Sequence, residues 1–266
     1  MLTEQLSERM EKAALELSGA PRLLLGLDFD GTLAPIVSDP AEARIPDNTG
    51  RILDGLTAGP GMTVAVISGR AMPDLLTRIT QNVILGGNHG LEMLTDGMLW
   101  QHPRAAELEA LLRTVSRQLA VATRCIPGAR VEYKGLTASI HYRNVEDHLV
   151  PGLLEKVRVA LAPYDDSFFL THGNKVAEVR PAVAWNKGSA MLRILDSMRH
   201  GDGGEIAVCY IGDDATDESV FHTLTDAVTI RVGQDCRTAA RFQARDTDEV
   251  RVFLERVLRG RTAKSG

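Results

Sequence analysis

RLLLGLDFDGT, residues 22–32, opens with six positions of a short apolar run and ends in Asp28, Phe29, Asp30, Gly31 and Thr32. An apolar run that breaks into acidic residues and glycine reads as a buried strand feeding a loop. The same rhythm continues downstream: helical periodicity over residues 47–58, the run TVAVI (63–67) closing on Ser68-Gly69-Arg70, helical periodicity over 73–80, and NVILGG at 82–87. Strands alternating with helices predict a parallel sheet covered on both faces. Sheets of this α/β kind bind ligands outside the carboxyl ends of their strands, so chemistry is expected where these runs stop.

The pattern changes between residues 91 and 181. EMLTDGMLW (92–100) carries Asp96-Gly97 between apolar stretches, the signature of a hairpin. Helical periodicity at 105–122 then precedes ARVEY and LTASIHY, and a second helix at 147–161 precedes SFFLTHG and KVAEVR. Helix, two strands, helix, two strands is an α+β unit with its own core, predicted as an insert. The Rossmann-like alternation resumes with a helix at 187–198, the strand EIAVCYI ending in Gly212-Asp213-Asp214, a helix at 217–224, the strand AVTIRV, and a last helix DEVRVFLERVL. The expected division is a core of residues 1–97 and 182–266 with an αββαββ insert at 98–181.

Composition narrows the class. The 266 residues are 44% hydrophobic and 24% charged, ordinary for a folded domain. A net charge of −5 gives no electrostatic reason to expect nucleic acid or an anionic membrane as partner. Cys125, Cys209 and Cys236 are too few and too scattered for a disulfide framework or a zinc site. Leu6, Met10, Ala13, Ala14 and Leu17 recur at helical spacing, so the first twenty residues read as an amphipathic helix and not as a signal peptide. A cytoplasmic monomer acting on a small molecule is expected.

Asp28 and Asp30, two apart on extended chain, fall on the same side of it. Carboxylates held close repel each other unless a cation separates them, and a hard divalent ion such as Mg²⁺ suits oxygen ligands. A carboxylate can also attack phosphorus and so split a hydrolysis into two easier steps. Asp, Gly and Thr are common turn residues too, and DFDGT alone would read as well as a plain strand-ending turn. Three further elements tip the balance. Ser68 and Arg70, with Gly69 between them, offer a hydroxyl and a guanidinium to phosphate oxygens; Lys187 offers an ammonium near a helix start; Asp213, Asp214 and Asp217 supply more carboxylates for a metal.

DFDGT, the serine after the second strand, the lysine ahead of the fourth and GDDxTDE at 212–218 resemble, in order and strand context, the four motifs of the haloacid dehalogenase-like phosphatases. That resemblance implies Asp28 as nucleophile and Asp30 as the acid/base. It implies Ser68 and Lys187 on the transferring phosphoryl group, with Thr32 close to it, and Mg²⁺ held by Asp28, Asp213 and the backbone carbonyl of Asp30. Asp214 and Asp217 would support the metal and Lys187. An insert in this position resembles the type C2B cap, which reads the leaving group.

NHGLE (88–92), VEYK (131–134), SIHYR (139–143), KVAEVRP (175–181) and NKG (186–188) narrow the resemblance to the trehalose-6-phosphate phosphatase family over nearly the whole chain. It implies a disaccharide phosphate as substrate, with Glu132, Lys134, Arg143 and Glu178 of the cap and Asn88, His89 and Arg70 at its junction as binding residues. Relatives often carry a lysine four positions before the EVRP glutamate; here Asn174 stands there and Lys175 is one step closer. Because strand faces alternate, a one-residue shift would turn Lys175 away from the sugar, and whether Lys175 or Asn174 serves there stays open at this point. Sucrose-phosphate or mannosyl-phosphoglycerate phosphatases, a phosphosugar mutase and a non-catalytic sugar-phosphate sensor remain open at this point.

Overall fold

A computed structural model describes residues 6–173, 175–199, 204–234 and 237–263. The chain packs as two compact units, Met1–Leu99 with Trp185–Gly266, and Trp100–Ala184. These boundaries compare with the 98 and 181 expected from sequence.

The first unit is built on one sheet of eight strands in the order β12-β11-β10-β1-β2-β3-β4-β5. In chain order they are β1 (Arg22–Leu27), β2 (Met62–Ile67), β3 (Ile84–Gly87), β4 (Glu92–Thr95), β5 (Met98–Gln101), β10 (Ile206–Gly212), β11 (Val228–Val232) and β12 (Phe242–Ala244). All pairs from β12 to β3 are parallel, and β4 joins β3 antiparallel. The hairpin at Asp96-Gly97, both at positive φ as a two-residue turn requires, thus extends this sheet and does not begin the insert's own sheet. β12 is absent from the sequence reading; three residues are too few to show a period.

Helices α1 (Glu8–Gly19), α2 (Asp47–Thr57), α3 (Met72–Arg78), α6 (Lys187–Arg199), α7 (Glu218–Thr223) and α8 (Thr247–Thr262) cover the sheet. α1 starts at Ser7, whose hydroxyl accepts the Met10 N–H, and buries Met10, Ala13, Ala14 and Leu17. Along with α2 it packs against α8. Alternation along β1 divides its side chains: Leu23, Leu25, Leu27 and Phe29 join the core with α1, α2 and α8, so Leu24, Gly26 and Asp28 point to the opposite face. Asp28 is therefore aimed by the strand's own period.

The second unit is αββαββ: α4 (Pro103–Thr123), β6 (Arg130–Tyr133), β7 (Ala138–His141), α5 (Val150–Leu161), β8 (Phe168–Gly173) and β9 (Val176–Pro181). Its sheet runs β6-β7-β9-β8, antiparallel throughout. Leu108, Leu112, Val115 and Leu119 of α4 and Leu153, Val157 and Leu161 of α5 form a core with Ala138, Ile140, Phe168, Ala177 and Val179. The alternate positions of the strands make the other face, and most of it is polar, with Glu132, Ser139, His141, Glu178 and Arg180 beside Val176 and Phe169 and with Lys134 and Thr137 where β6 turns into β7. Among the described residues no helix is long and apolar enough to cross a membrane.

Candidate active site

Parallel neighbours end on the same edge of a sheet, and that brings the catalytic candidates of the first unit together. β1 and β10 pair from Arg22↔Ile206 to Leu27↔Ile211, and the Asp28 N–H continues the ladder to the Ile211 carbonyl at 2.9 Å. Asp28 therefore leaves β1 where Asp213 leaves β10. Gly31, at φ +74°, lets the two loops close: a Cβ there would meet a carboxylate oxygen of Asp213 at 2.0 Å. Asp28, Asp213 and Asp217 each offer an oxygen within 4.8 Å of the others.

Lys187, the first residue of α6, is 2% exposed and holds this cluster. Its Nζ lies 2.9 Å from Asp28 Oδ1 and 2.8 Å from Asp217 Oδ1. Three carboxylates against one ammonium leave two negative charges in a buried place. Burial, and after it Asp217 and Asp213, hold the Asp28 carboxyl well above its usual range, with Lys187 opposing. Burial and Asp217 push the Asp213 carboxyl up to about 6. Burial alone would lower the Lys187 ammonium, but Asp217 and Asp28 outweigh it and hold it charged.

The donor set fits a divalent cation. It is all oxygen, two negative charges are uncompensated, and the Asp217 oxygens are already taken by Lys187, Tyr210 and the Asp214 N–H, so Asp28 and Asp213 are the carboxylates of the group that could hold it. The metal-free protein should therefore destabilise as pH rises. Between 3.8 and about 6 the native Asp213 keeps a proton that the unfolded chain has released, so stability falls across that window. Mg²⁺ competes for the ionised form only, and the rise in Tm on adding it should be larger at pH 7.5 than at pH 5. Thermal melts with Mg²⁺ and with EDTA measure this; an equal rise at both pH values contradicts it.

β2 brings Ser68 to the same edge, 1% exposed, its hydroxyl accepting the Arg70 N–H at 3.2 Å. Thr32 Oγ1 is buried with no hydrogen-bond partner among the described residues. Arg70 is placed otherwise than the sequence suggested. Its guanidinium grips both Asp30 oxygens at 2.7 and 2.6 Å, reaches Asp74 at 2.7 Å and the Pro40 carbonyl at 2.8 Å, and lies over the Phe29 ring. Its donors are thus turned to the protein, and Arg70 positions Asp30. Asp214 is exposed; its carboxylate caps the Ala215 N–H and its carbonyl accepts from Arg231.

Asn88 and His89 are buried behind the Ser68–Arg70 loop. Both take positive φ, the Asn88 N–H donates to the Arg70 carbonyl, and the His89 N–H to the Ser68 carbonyl, each at 2.8 Å, while Gly69 leaves room for the His89 ring. The Asn88 amide donates to Glu92 at 2.6 Å, and Glu92 also accepts the Met72 N–H at 3.0 Å. Glu92 was not singled out from the sequence, although its place four residues after Asn88 in NHGLE was visible.

The polar face of the second unit carries a separate network. Glu132, Ser139, Glu178 and Thr171 form one row across its four strands. Glu132 bonds His141 at 2.6 Å, and that bond holds the Glu132 carboxyl below its usual range. Glu178 accepts from Thr137 at 3.2 Å and meets the Lys134 ammonium at 3.5 Å. Arg180, two positions on and also missed, is 8% exposed, its guanidinium pKa lowered by burial and held up by Glu178. Arg143 is exposed in the turn after β7. The Lys175 ammonium binds Asp147 at 2.8 Å, and Asn174 lies outside the described residues, as does Cys236. Of the other cysteines Cys209 is buried in β10 and Cys125 exposed, both free.

Strands closing on Asp28, Ser68 and Asp213, with Lys187 opening the helix that leads into β10, make up a fold of the haloacid dehalogenase-like kind. A solved member from Bacteroides thetaiotaomicron shares the fold, with a TM-score of 0.62 over 89% of this chain and 99% of that one at 16% identity. The trehalose-phosphatase family model matches residues 26–251, and the chain belongs to that family. A probable trehalose-phosphate phosphatase E of Arabidopsis thaliana is 31% identical over 97% of this chain and 76% of its own. The C-terminal domain of the C. albicans trehalose-6-phosphate phosphatase superposes with a TM-score of 0.78 over 93% of this chain and 96% of that one, at 25% identity.

Proposed function

We propose that the protein hydrolyses trehalose 6-phosphate to trehalose and phosphate with Asp28 as nucleophile, in a site that Mg²⁺ completes. The observation that carries this reading is the buried Lys187 ammonium set between Asp28 and Asp217 at the carboxyl edge of the sheet. Phosphoryl transfer is mostly positioning and neutralisation of charge on the equatorial oxygens, and that is what the cluster is arranged to supply.

A carboxylate oxygen of Asp28 attacks phosphorus as the bond to the sugar oxygen breaks; Asp30 gives that oxygen its proton, and trehalose leaves an aspartyl phosphate. Asp30, now ionised, takes a proton from water, whose oxygen attacks the same phosphorus and frees Asp28 and phosphate. Both Asp30 oxygens accept from Arg70, which holds the carboxyl in place and leaves each oxygen a second lone pair for proton transfer. Ser68, Thr32 and Lys187 hold the phosphoryl oxygens. Mg²⁺, on the Asp28 and Asp213 carboxylates and the Asp30 carbonyl, would neutralise the remaining phosphoryl charge.

Recognition of the sugar falls to the polar face of the second unit, with Glu132, Lys134 and Glu178 bonding sugar hydroxyls and Arg143 beside them. Carboxylates already tied to Lys134, Thr137 or His141 are oriented before the sugar arrives. Glu178→Gln should raise KM for trehalose 6-phosphate by roughly 10-fold or more, the value of a hydrogen bond to a charged group, and leave p-nitrophenyl phosphate hydrolysis unchanged. A parallel loss on both substrates would remove Glu178 from sugar recognition.

A further inference from the structure

We propose that Tyr210, buried in the core beneath the site, is a positioning residue that sets where the Lys187 ammonium stands. The inference rests on the reading of Asp28 and Lys187 above and adds a residue with no place in the four motifs.

Tyr210 is fully buried on β10, three residues before Asp213. Its hydroxyl donates to Asp217 Oδ1 at 2.7 Å, the same oxygen that holds Lys187 Nζ at 2.8 Å, while Asp217 Oδ2 accepts the Asp214 N–H at 2.9 Å. Lys187 in turn reaches Asp28 at 2.9 Å. The chain of contacts is therefore Tyr210 hydroxyl, Asp217 carboxylate, Lys187 ammonium, nucleophile. Two donors share one Asp217 oxygen. With the hydroxyl in place, part of that oxygen's charge is spent on Tyr210 and Lys187 stays balanced between Asp217 and Asp28. Without it, Lys187 becomes the only donor on Oδ1 and is drawn towards Asp217, away from the oxygen that attacks and from the phosphoryl group it must neutralise.

The surroundings show that the ring is placed and not merely accommodated. Gly26 is the β1 partner of Tyr210 in the ladder, two residues before the nucleophile. A Cβ at Gly26 would stand 2.6 Å from the Tyr210 ring and 2.6 Å from the Met191 sulfur. The central strand thus gives up a side chain where the ring crosses it. Phe221 of α7 closes the other side edge-on, its ring centre 6.1 Å away. A ring clamped between the neighbouring strand β1 and helices α6 and α7 carries its hydroxyl to one point, and that point is Asp217.

The test is Tyr210→Phe, which keeps the ring and removes the hydroxyl. With p-nitrophenyl phosphate and Mg²⁺, kcat should fall about tenfold with KM unchanged, and calorimetric Kd for orthovanadate should rise by about the same factor, the scale of one charge-assisted hydrogen bond acting in the transition state. In the Lys187→Arg background the same substitution should add less than about twofold, because the two residues act as one unit. A merely structural hydroxyl would lower Tm and leave kcat per folded molecule and vanadate Kd at wild-type values, and that result overturns the proposal; so does full additivity with Lys187→Arg. Should turnover prove independent of Asp28, the catalytic reading fails by itself, and the vanadate affinities of wild type and Tyr210→Phe still decide the role of Tyr210.

Discussion

Asp28→Asn should lose turnover by at least about four orders of magnitude and yet melt higher than the wild type in EDTA. The loss follows from chemistry: an amide oxygen does not form an acyl phosphate at a useful rate, and no other described carboxylate occupies its place between Lys187 and the β1 loop. The stabilisation follows from electrostatics. A carboxyl whose pKa is raised on folding favours the folded state while protonated, and that contribution is lost as pH climbs through the raised value. Burial of this carboxyl, and after it the nearby Asp217 and Asp213, therefore count against folding in the metal-free protein at neutral pH, and a neutral amide relieves them. The rise in Tm with Mg²⁺ should shrink in the mutant, which has lost a ligand. A mutant that melts lower than wild type in EDTA would contradict this account of the cluster.

Lys187→Met should do the opposite to stability while also removing activity. The side chain is 2% exposed, and methionine is unbranched and only one atom shorter, so little packing is lost. What goes is the only ammonium on Asp28 and Asp217 among the described residues, and a buried charge left without its partner costs about 3 to 5 kcal/mol. Turnover should drop about 10³-fold with the charge that faces the phosphoryl group. Mg²⁺ should restore part of the stability, since it neutralises Asp28 and Asp213. Chemical denaturation of the two variants side by side reads the contrast: one carboxylate removed stabilises, one ammonium removed destabilises.

The core alternation and the αββαββ insert were legible because each strand is bounded by turn chemistry and each helix keeps its apolar period. β12 was not, being three residues long at the sheet edge. Asp28, Ser68 and Asp213 could be expected at one edge because a parallel sheet gathers whatever ends its strands there, whereas Lys187, which opens a helix, came from the resemblance of motifs. Sequence could not say which way a long side chain turns. Arg70 follows Ser68 and reads as a phosphate ligand, but Asp30 and Asp74 bracket its guanidinium. Asn88 and His89 read as sugar contacts, but two left-handed residues in a row hold the Ser68 loop from behind. Tyr210 and Gly26 pass as core filling, since the hydroxyl's partner lies seven residues away on another element. In the second unit the resemblance singled out Glu132, Lys134 and Glu178; strand alternation carried two residues on from Glu178 along β9 puts Arg180 on the same face.

The most direct test of the central claim is phosphate release with Mg²⁺ from trehalose 6-phosphate, sucrose 6-phosphate and glucose 6-phosphate, by wild type and by Asp28→Asn. The expected result is a kcat/KM for trehalose 6-phosphate at least about 100-fold above the other two, the discrimination that paired polar groups supply, and none of it in the mutant. Comparable rates on all three sugars, or turnover that survives Asp28→Asn, would contradict the account.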